Sequence, residues 1–262
     1  MNVVPKRTFA QKYHLKTVSW LVVFVVLIIV TADLTEVDFG MFFANFGQFL
    51  ALLQQMMHPD WQFTHLVVAP ILETIQMALI GTTIGTLVAI PFSVLAARNI
   101  VKNKFFRGLI RFILNLVRTL PDLMLAALFV AIVGIGPVAG VFTLAIFSFG
   151  MISKLFYEAI ETIDEGPLEA LEAAGANKVQ LVVFAVIPQV FNYFVSYFLY
   201  TFEINVRAST VLGYLGAGGI GVYLQRSLDQ FAYGQTAVII LGILIVVLVI
   251  DGLSNTLRER LL

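Results

Sequence analysis

Six stretches of this chain, residues 17–32, 67–97, 110–133, 138–157, 181–206 and 233–253, are apolar almost throughout. Each is close to the roughly 20 residues that a helix needs to cross the hydrocarbon core of a bilayer. Lipid offers no hydrogen bonds, so every backbone N–H and C=O in such stretches must be satisfied inside the chain. The expectation is an all-α membrane protein, a polytopic helical bundle of about six spans forming a single transmembrane domain over residues 1–262. Its N-terminal span is 17–32 and its core 67–253. Composition agrees, with 60% hydrophobic and 12% charged residues, about half the charged share of a soluble domain. A chain of 262 residues has room for about five to seven spans and short connections, and none for a separate catalytic domain.

The charges set an orientation. Lys6, Arg7, Lys12 and Lys16 precede the first apolar run, and Arg98, Lys102, Lys104, Arg107 and Arg111 form the densest basic cluster. Positive charge marks cytoplasmic loops. The N-terminus, the 98–111 loop, the 158–180 loop and the C-terminal Arg258 and Arg260 are therefore expected inside, and only Arg207 and Arg226 outside. Residues 33–64 hold Asp33, Glu36, Asp38 and Asp60 but no Lys or Arg, which suits an external segment. In it, Phe42, Phe46, Phe49 and Leu53 recur at helical spacing, to lie on the membrane surface or against other spans. No small-x-small cleavage site follows the first apolar run before Asp33, so it reads as a retained span. Net charge is zero, which implies no nucleic-acid partner. Without Cys there is neither a disulfide nor a thiolate metal site.

Residues 158–188 are the one polar island in the second half. Glu158, Glu161, Asp164, Glu165 and Glu169 precede Glu172 within fifteen positions, so the segment must face water. Gly166 is placed to cap a helix, Pro167 to open it and Gly175 to stop it in a left-handed conformation. Leu168 and Leu171 share one face; Glu169 and Glu172 share another. A helix of about two turns does not stand alone and needs a larger body to dock on. Read from composition alone the island is a solvated loop; the cap residues and the Gly-to-Pro spacing favour a built element.

These residues resemble the EAA loop of ABC-importer permeases: Glu169-Ala170-Leu171, then Gly175, then Ile187-Pro188. Leu171, Ala185 and Ile187 depart from the pattern, apolar for apolar. EGPLEALEAAGANK, Arg118-x-x-Pro121 and Gly216-Ala217-Gly218-Gly219-Ile220-Gly221 are similar, in the same order, to the phosphonate-importer permeases. The resemblance implies a type I ABC-importer permease fold. It also implies that the loop is a coupling helix seated in a cytoplasmic ATPase through Pro167, Leu168, Glu169, Ala170, Leu171, Glu172 and Gly175. The implied partners are the ATPase subunits, a second copy of the chain, an external substrate-binding protein and the bacterial inner-membrane bilayer. The implied cargo is phosphonate or a related small phosphorus oxyanion. ATP and magnesium would be bound by the partner; no cofactor is expected in this chain.

Residues 209–229 are too short and glycine-rich for an ordinary span and read as a broken or re-entrant external element. Gly216, Gly218, Gly219 and Gly221 suit a close-packing site or a gate, and also an inert turn. Arg207, Arg226 and a helix N-terminus there would favour an anion, unless Glu203, four residues before Arg207, neutralises it. Arg118 and Asp122, also four apart, are expected to pair or to face a polar interior. Gly81-x-x-x-Gly85 allows close helix approach, and Pro188 should bend the fifth span. Gly216-x-Gly218-x-x-Gly221 matches the dinucleotide fingerprint in letters but lacks the βαβ context. No Walker motif, zincin or hydrolase motif is present, and His14, His58 and His65 are not spaced as ligands. Two rivals remain. One is an ion-coupled transporter using Glu73, Glu203 or Asp251; the other is a membrane scaffold without a path.

Overall fold

The computed structural model describes residues 15–35 and 39–261. Lys6, Arg7, Lys12, His14, Glu36 and Asp38 lie outside the described residues. Residues 1–54 and 55–262 form two separate compact units. In the first, α1 (Leu15–Leu34) is apolar all round and its side chains are exposed on every side, the pattern of a helix surrounded by lipid. It is followed by α2 (Phe39–Ala44) and α3 (Phe46–Met56). Phe46, Phe49 and Leu53 are all exposed on α3; the side chain of Phe42 lies outside the described set.

The second unit is built on a parallel pair, α4 (Thr64–Ala96) and α7 (Pro137–Ile160), packed in step from Met77 beside Gly140 to Gly85 beside Ser148. Two glycines decide how closely they pack. A Cβ at Gly81 would lie 2.7 Å from that of Leu144, and one at Gly85 would lie 2.5 Å from the Ala145 carbonyl oxygen. The small-residue motif is thus a packing face in fact. Helix α10 (Ile187–Leu212) lies across both. At mid-bundle the Asn205 amide donates to Thr82 Oγ1 at 2.7 Å and to Ser148 Oγ at 2.6 Å, a polar clamp among three helices, all three side chains fully buried. Helix α12 (Tyr233–Leu261) closes the bundle against α10. Among the described residues five helices can cross a membrane, and a sixth span results if a bent pair counts as one.

That bent pair corrects one expectation. Residues 110–133 are not a continuous span: α5 (Lys104–Thr119) and α6 (Asp122–Val133) meet at 84°. Pro121 lacks an N–H and holds the residue before it extended, so the helix stops at Thr119. Arg118 and Asp122 do not pair either. The Asp122 carboxylate turns back to accept from Leu123 N–H at 2.9 Å, within the first turn of its own helix.

A second correction concerns the fifth span. Helix α9 (Lys178–Leu181) leads through a π turn over Val182–Val186 into α10, and the π turn is the form that the disruption before Pro188 takes. Helix α10 then continues past residue 206 to Leu212, so the broken element begins only after it. Glu203 lies nine residues short of that end, roughly 13 Å down the helix, level with the Asn205 clamp and not at the outer end. Its charge is tolerated there because two arginines neutralise it, as described below.

Candidate functional site

Two short helices stand at opposite ends of the second unit. At the end carrying the basic cluster is α8 (Gly166–Ala173). Its cap residue is Glu165 and Pro167 is its second residue, one position later than the sequence indicates; the Asp164 carboxylate accepts from Gly166 N–H at 3.0 Å. Gly175 ends it at φ +81°, with open space around it.

The leucines dock α8. Leu168 is buried and Leu171 partly so, both in a cluster formed by Ala96, Ala97, Ile100, Tyr157, Ile160 and Val186. Pro167, Glu169, Ala170 and Ala173 face outward. The two acids differ in what holds them. Glu172 is bridged to Lys178 Nζ at 2.8 Å and to Lys102 Nζ at 3.7 Å. The Lys178 hydrogen bond, then the charge of Lys102, hold its carboxyl below the usual carboxylate range. Glu169 has no ion-pair partner among the described residues and lines, with Glu165, Leu168, Arg98, Asn99 and Lys102, a cavity of about 200 Å³ beside the helix.

The floor under α8 is tied by charge as well. Glu161 accepts from Arg111 and from Arg98 N–H, and Asn99 Nδ2 donates to the Ile160 carbonyl at 2.6 Å. Sequence reading had these basic residues only as an orientation signal. Their pairing with Glu161 and Glu172 joins positions fifty or more residues apart, and no local spacing reveals it.

At the other end, a tight turn over Gly213–Leu215 and three positive-φ glycines, Gly216, Gly218 and Gly219, lead into α11 (Ile220–Asp229). Here the backbone is packed against backbone. A Cβ at Gly218 would sit 2.7 Å from Pro137 N, and one at Gly221 would sit 2.0 Å from the Thr210 carbonyl oxygen. Gly136 N–H donates to the Gly216 carbonyl at 2.8 Å.

The positive end of α11 is already occupied. Glu73 accepts from Gly219 N–H at 3.1 Å and Thr74 Oγ1 from Ile220 N–H at 2.8 Å. An anion is therefore not drawn to that helix terminus, contrary to expectation, because α4 places its own carboxylate there. Arg226 is exposed over the Tyr223 ring, 5.8 Å from its centroid. Arg207 is engaged elsewhere. It pairs with Glu203, whose second oxygen accepts from Arg258 Nη2 at 3.0 Å. Glu203 is buried between two cations from α10 and α12. Of the three carboxylates open to an ion-coupled transporter, Glu73 and Glu203 are thus committed to structural partners.

Residues 89–261 match the family described as binding-protein-dependent transport system inner membrane component. The phosphite transport system permease protein PtxC of Stutzerimonas stutzeri is 40% identical over 209 residues, 80% of this chain and 76% of that protein. The putative phosphite transport system permease protein HtxC of the same organism is 36% identical over 241 residues, 92% of this chain and 86% of that one. Among solved structures, a chain of the inward-facing MetNI methionine ABC transporter superposes with a TM-score of 0.69 at 24% identity, covering 78% of this chain and 99% of the other.

Proposed function

The chain belongs to the family of inner membrane components of binding-protein-dependent transport systems, and from that premise we propose which residues couple it and what it moves. It is the multi-pass permease subunit of an ABC importer with the type I permease fold. Its cargo in our reading is phosphite, a phosphonate or a related small phosphorus oxyanion, taken from an external binding protein. Two copies form the pathway, with both termini cytoplasmic. ATP and magnesium are handled by the partner ATPase.

The observation that carries the coupling role is the construction of α8. Its apolar side is consumed by Leu168 and Leu171, its charge at Glu172 is consumed by two lysines, and what remains outward is Pro167, Glu169, Ala170 and the open Gly175 turn. A surface with one uncommitted acid and little apolar area suits a complementary polar groove on a soluble partner. Force applied there passes through Leu168 into the cluster that joins α4, α5, α7 and α10. The glycine segment, with Gly216, Gly218, Gly219 and Gly221, serves as the close-packed far end against which the pathway opens and closes.

The test is reconstitution of the chain with its ATPase in proteoliposomes, with phosphite-loaded binding protein inside or outside. ATP-dependent phosphite accumulation and stimulated hydrolysis are expected. Glu169→Arg should lower ATPase co-purification and transport together; normal values for both would remove α8 from the coupling interface.

A further inference from the structure

In α5, Arg111 is paired with Glu161 and Arg107 donates to the Val101 carbonyl; the charge of Arg118, beside the break into α6, is unaccounted for. Arg118 lies on the last turn of α5, fourteen residues from Lys104, and packs against Gly150, thirteen residues into α7. Both distances correspond to roughly 20 Å of helix, which puts Arg118 near the middle of the bundle's depth. Its guanidinium has no hydrogen-bond or ion-pair partner among the described residues. The nearest acid in sequence, Asp122, is turned to the Leu123 N–H of α6. A bare guanidinium at this depth is costly in lipid and is tolerated only against a polar interior or a ligand.

The structure around it is open. Arg118 lines a cavity of about 260 Å³ with Val117, Leu120, Phe147 and Met151, and no carboxylate shares that lining. Gly150 eases the arrangement: a Cβ there would lie 3.0 Å from Arg118 Cγ and 3.3 Å from Val117 Cγ1, so a larger residue would press the stem of the arginine aside by a few tenths of an ångström. Discontinuous helices near mid-depth are where transporters place their substrate sites. Of the other candidates, Arg207 and Arg258 are spent on Glu203 and the N-terminus of α11 on Glu73, while Arg226 lies exposed over Tyr223 on α11.

We infer that Arg118, held by Gly150 at the α5–α6 break, is an anion-binding residue on the translocation path that takes a small tetrahedral oxyanion of phosphorus. This rests on the phosphorus-oxyanion reading above. The planar fork of donors binds two oxygens of such an anion at once, and the apolar walls leave the orienting work to that one side chain.

The experiment uses the complex with ATPase and binding protein. Because the chain has no cysteine, Met151→Cys supplies a single thiol in the cavity wall. Its reaction rates with an anionic and a cationic methanethiosulfonate are compared in the presence of Arg118, Arg118→Gln and Arg118→Lys. With Arg118 or Lys the anionic reagent is favoured, and Arg118→Gln lowers the anionic-to-cationic ratio about ten-fold, as one nearby charge in a medium of reduced dielectric requires. Without the thiol, Arg118→Gln lowers phosphite and methylphosphonate uptake about ten-fold or more with basal ATPase activity retained. Arg118→Lys recovers part of the loss, and Gly150→Ala behaves as a milder Arg118→Gln. An unchanged reagent ratio, as when a second copy supplies a carboxylate to Arg118, overturns the inference, and so does undiminished uptake by Arg118→Gln. If the unaltered complex moves neither phosphorus compound, the substrate reading fails by itself, and the reagent ratio still judges whether Arg118 presents an uncompensated positive charge to the cavity.

Discussion

Helices α8 and α11 are nearly the same length, eight and ten residues, and neither crosses the bundle, yet they are held in different ways. Helix α8 is attached by side chains: two leucines on one face, a bridged glutamate, and an open glycine turn at the end. Helix α11 has an apolar anchor too, Ile220 with Tyr223 and Leu224 against Val67, Val238 and Ile239, but its approach is in addition locked by backbone, wedged among Pro137, Thr74, Thr210 and Gly213 at distances where no Cβ fits. Side-chain attachment leaves a helix able to be seized from outside without unfolding what lies below. Backbone attachment makes a helix move only with the elements around it. An importer driven from one end needs the first kind where the force enters and the second kind where the pathway is sealed.

The comparison breaks most severely at Gly218. Gly218→Val combines an unfavourable positive φ with a Cβ driven into Pro137, and should cost roughly 3 kcal/mol or more. Thermal melting of the detergent-purified protein, together with its yield, measures this. A variant that melts as the parent does would mean that the glycine segment is a loose turn.

Between the two ends sits Glu203, and the triad predicts an asymmetry that a simple pair does not. Glu203→Gln leaves Arg207 and Arg258 uncompensated; because their side chains are 53% and 24% exposed, the cost falls below the roughly 3–5 kcal/mol of a fully buried pair, to about 2 kcal/mol. Arg207→Gln leaves Glu203 bonded to Arg258, so its cost should be well under half of that. Equal losses of melting temperature for the two variants would show that Arg258 contributes nothing to the pairing.

At α8, Leu168→Ala removes the larger of the two anchors. The expected cost is about 2 kcal/mol, at the low end for a buried leucine because the site is at the rim of its cluster. It should be local: hydrogen exchange of residues 166–176 accelerates and ATPase co-purification falls, while α4 and α7 exchange as before. Global acceleration would mean that α8 is part of the core and not an attached element.

Much of this was legible in the residues. Periodic apolar length, the Gly81 and Gly85 spacing, the Pro167 and Gly175 boundaries of α8, and the glycine break before α11 all depend on local chemistry, and each is where local chemistry puts it, to within the one residue by which α8 starts early. The corrections share one cause. Whether residues 110–133 run straight, where α10 ends, and which acid meets which base depend on partners far along the chain. Arg258 reaching Glu203, Lys102 reaching Glu172, and Glu73 capping α11 join residues 55, 70 and 146 positions apart. The i,i+4 pair Glu203–Arg207 was visible; the third member that fixes its depth was not. Arg118 and Asp122 have the same spacing and do not meet, because Pro121 turns the chain between them.

The smallest expected effect tests whether the charges on α8 hold the helix or merely decorate it. Glu172 is exposed, and exposed ion pairs contribute little and are screened by salt, so Glu172→Gln should leave the melting temperature of the whole protein unchanged. Its effect should appear in the same exchange measurement of residues 166–176, as a modest acceleration at low ionic strength that 0.5 M salt removes; Lys102→Ala should reproduce part of it. The pH dependence has a definite sign. Lys178 and Lys102 lower the folded-state pKa of Glu172, so their stabilisation is fully present above the unfolded carboxylate pKa of about 4.3 and is lost as pH falls through the lowered folded value. The parent protein should therefore converge on the Glu172→Gln exchange rates only on strong acidification, after the pH dependence of intrinsic exchange is divided out. If the two already coincide at neutral pH and low salt, the leucines alone carry the attachment, and the contrast between the two short helices becomes one of apolar contact alone against apolar contact locked by backbone.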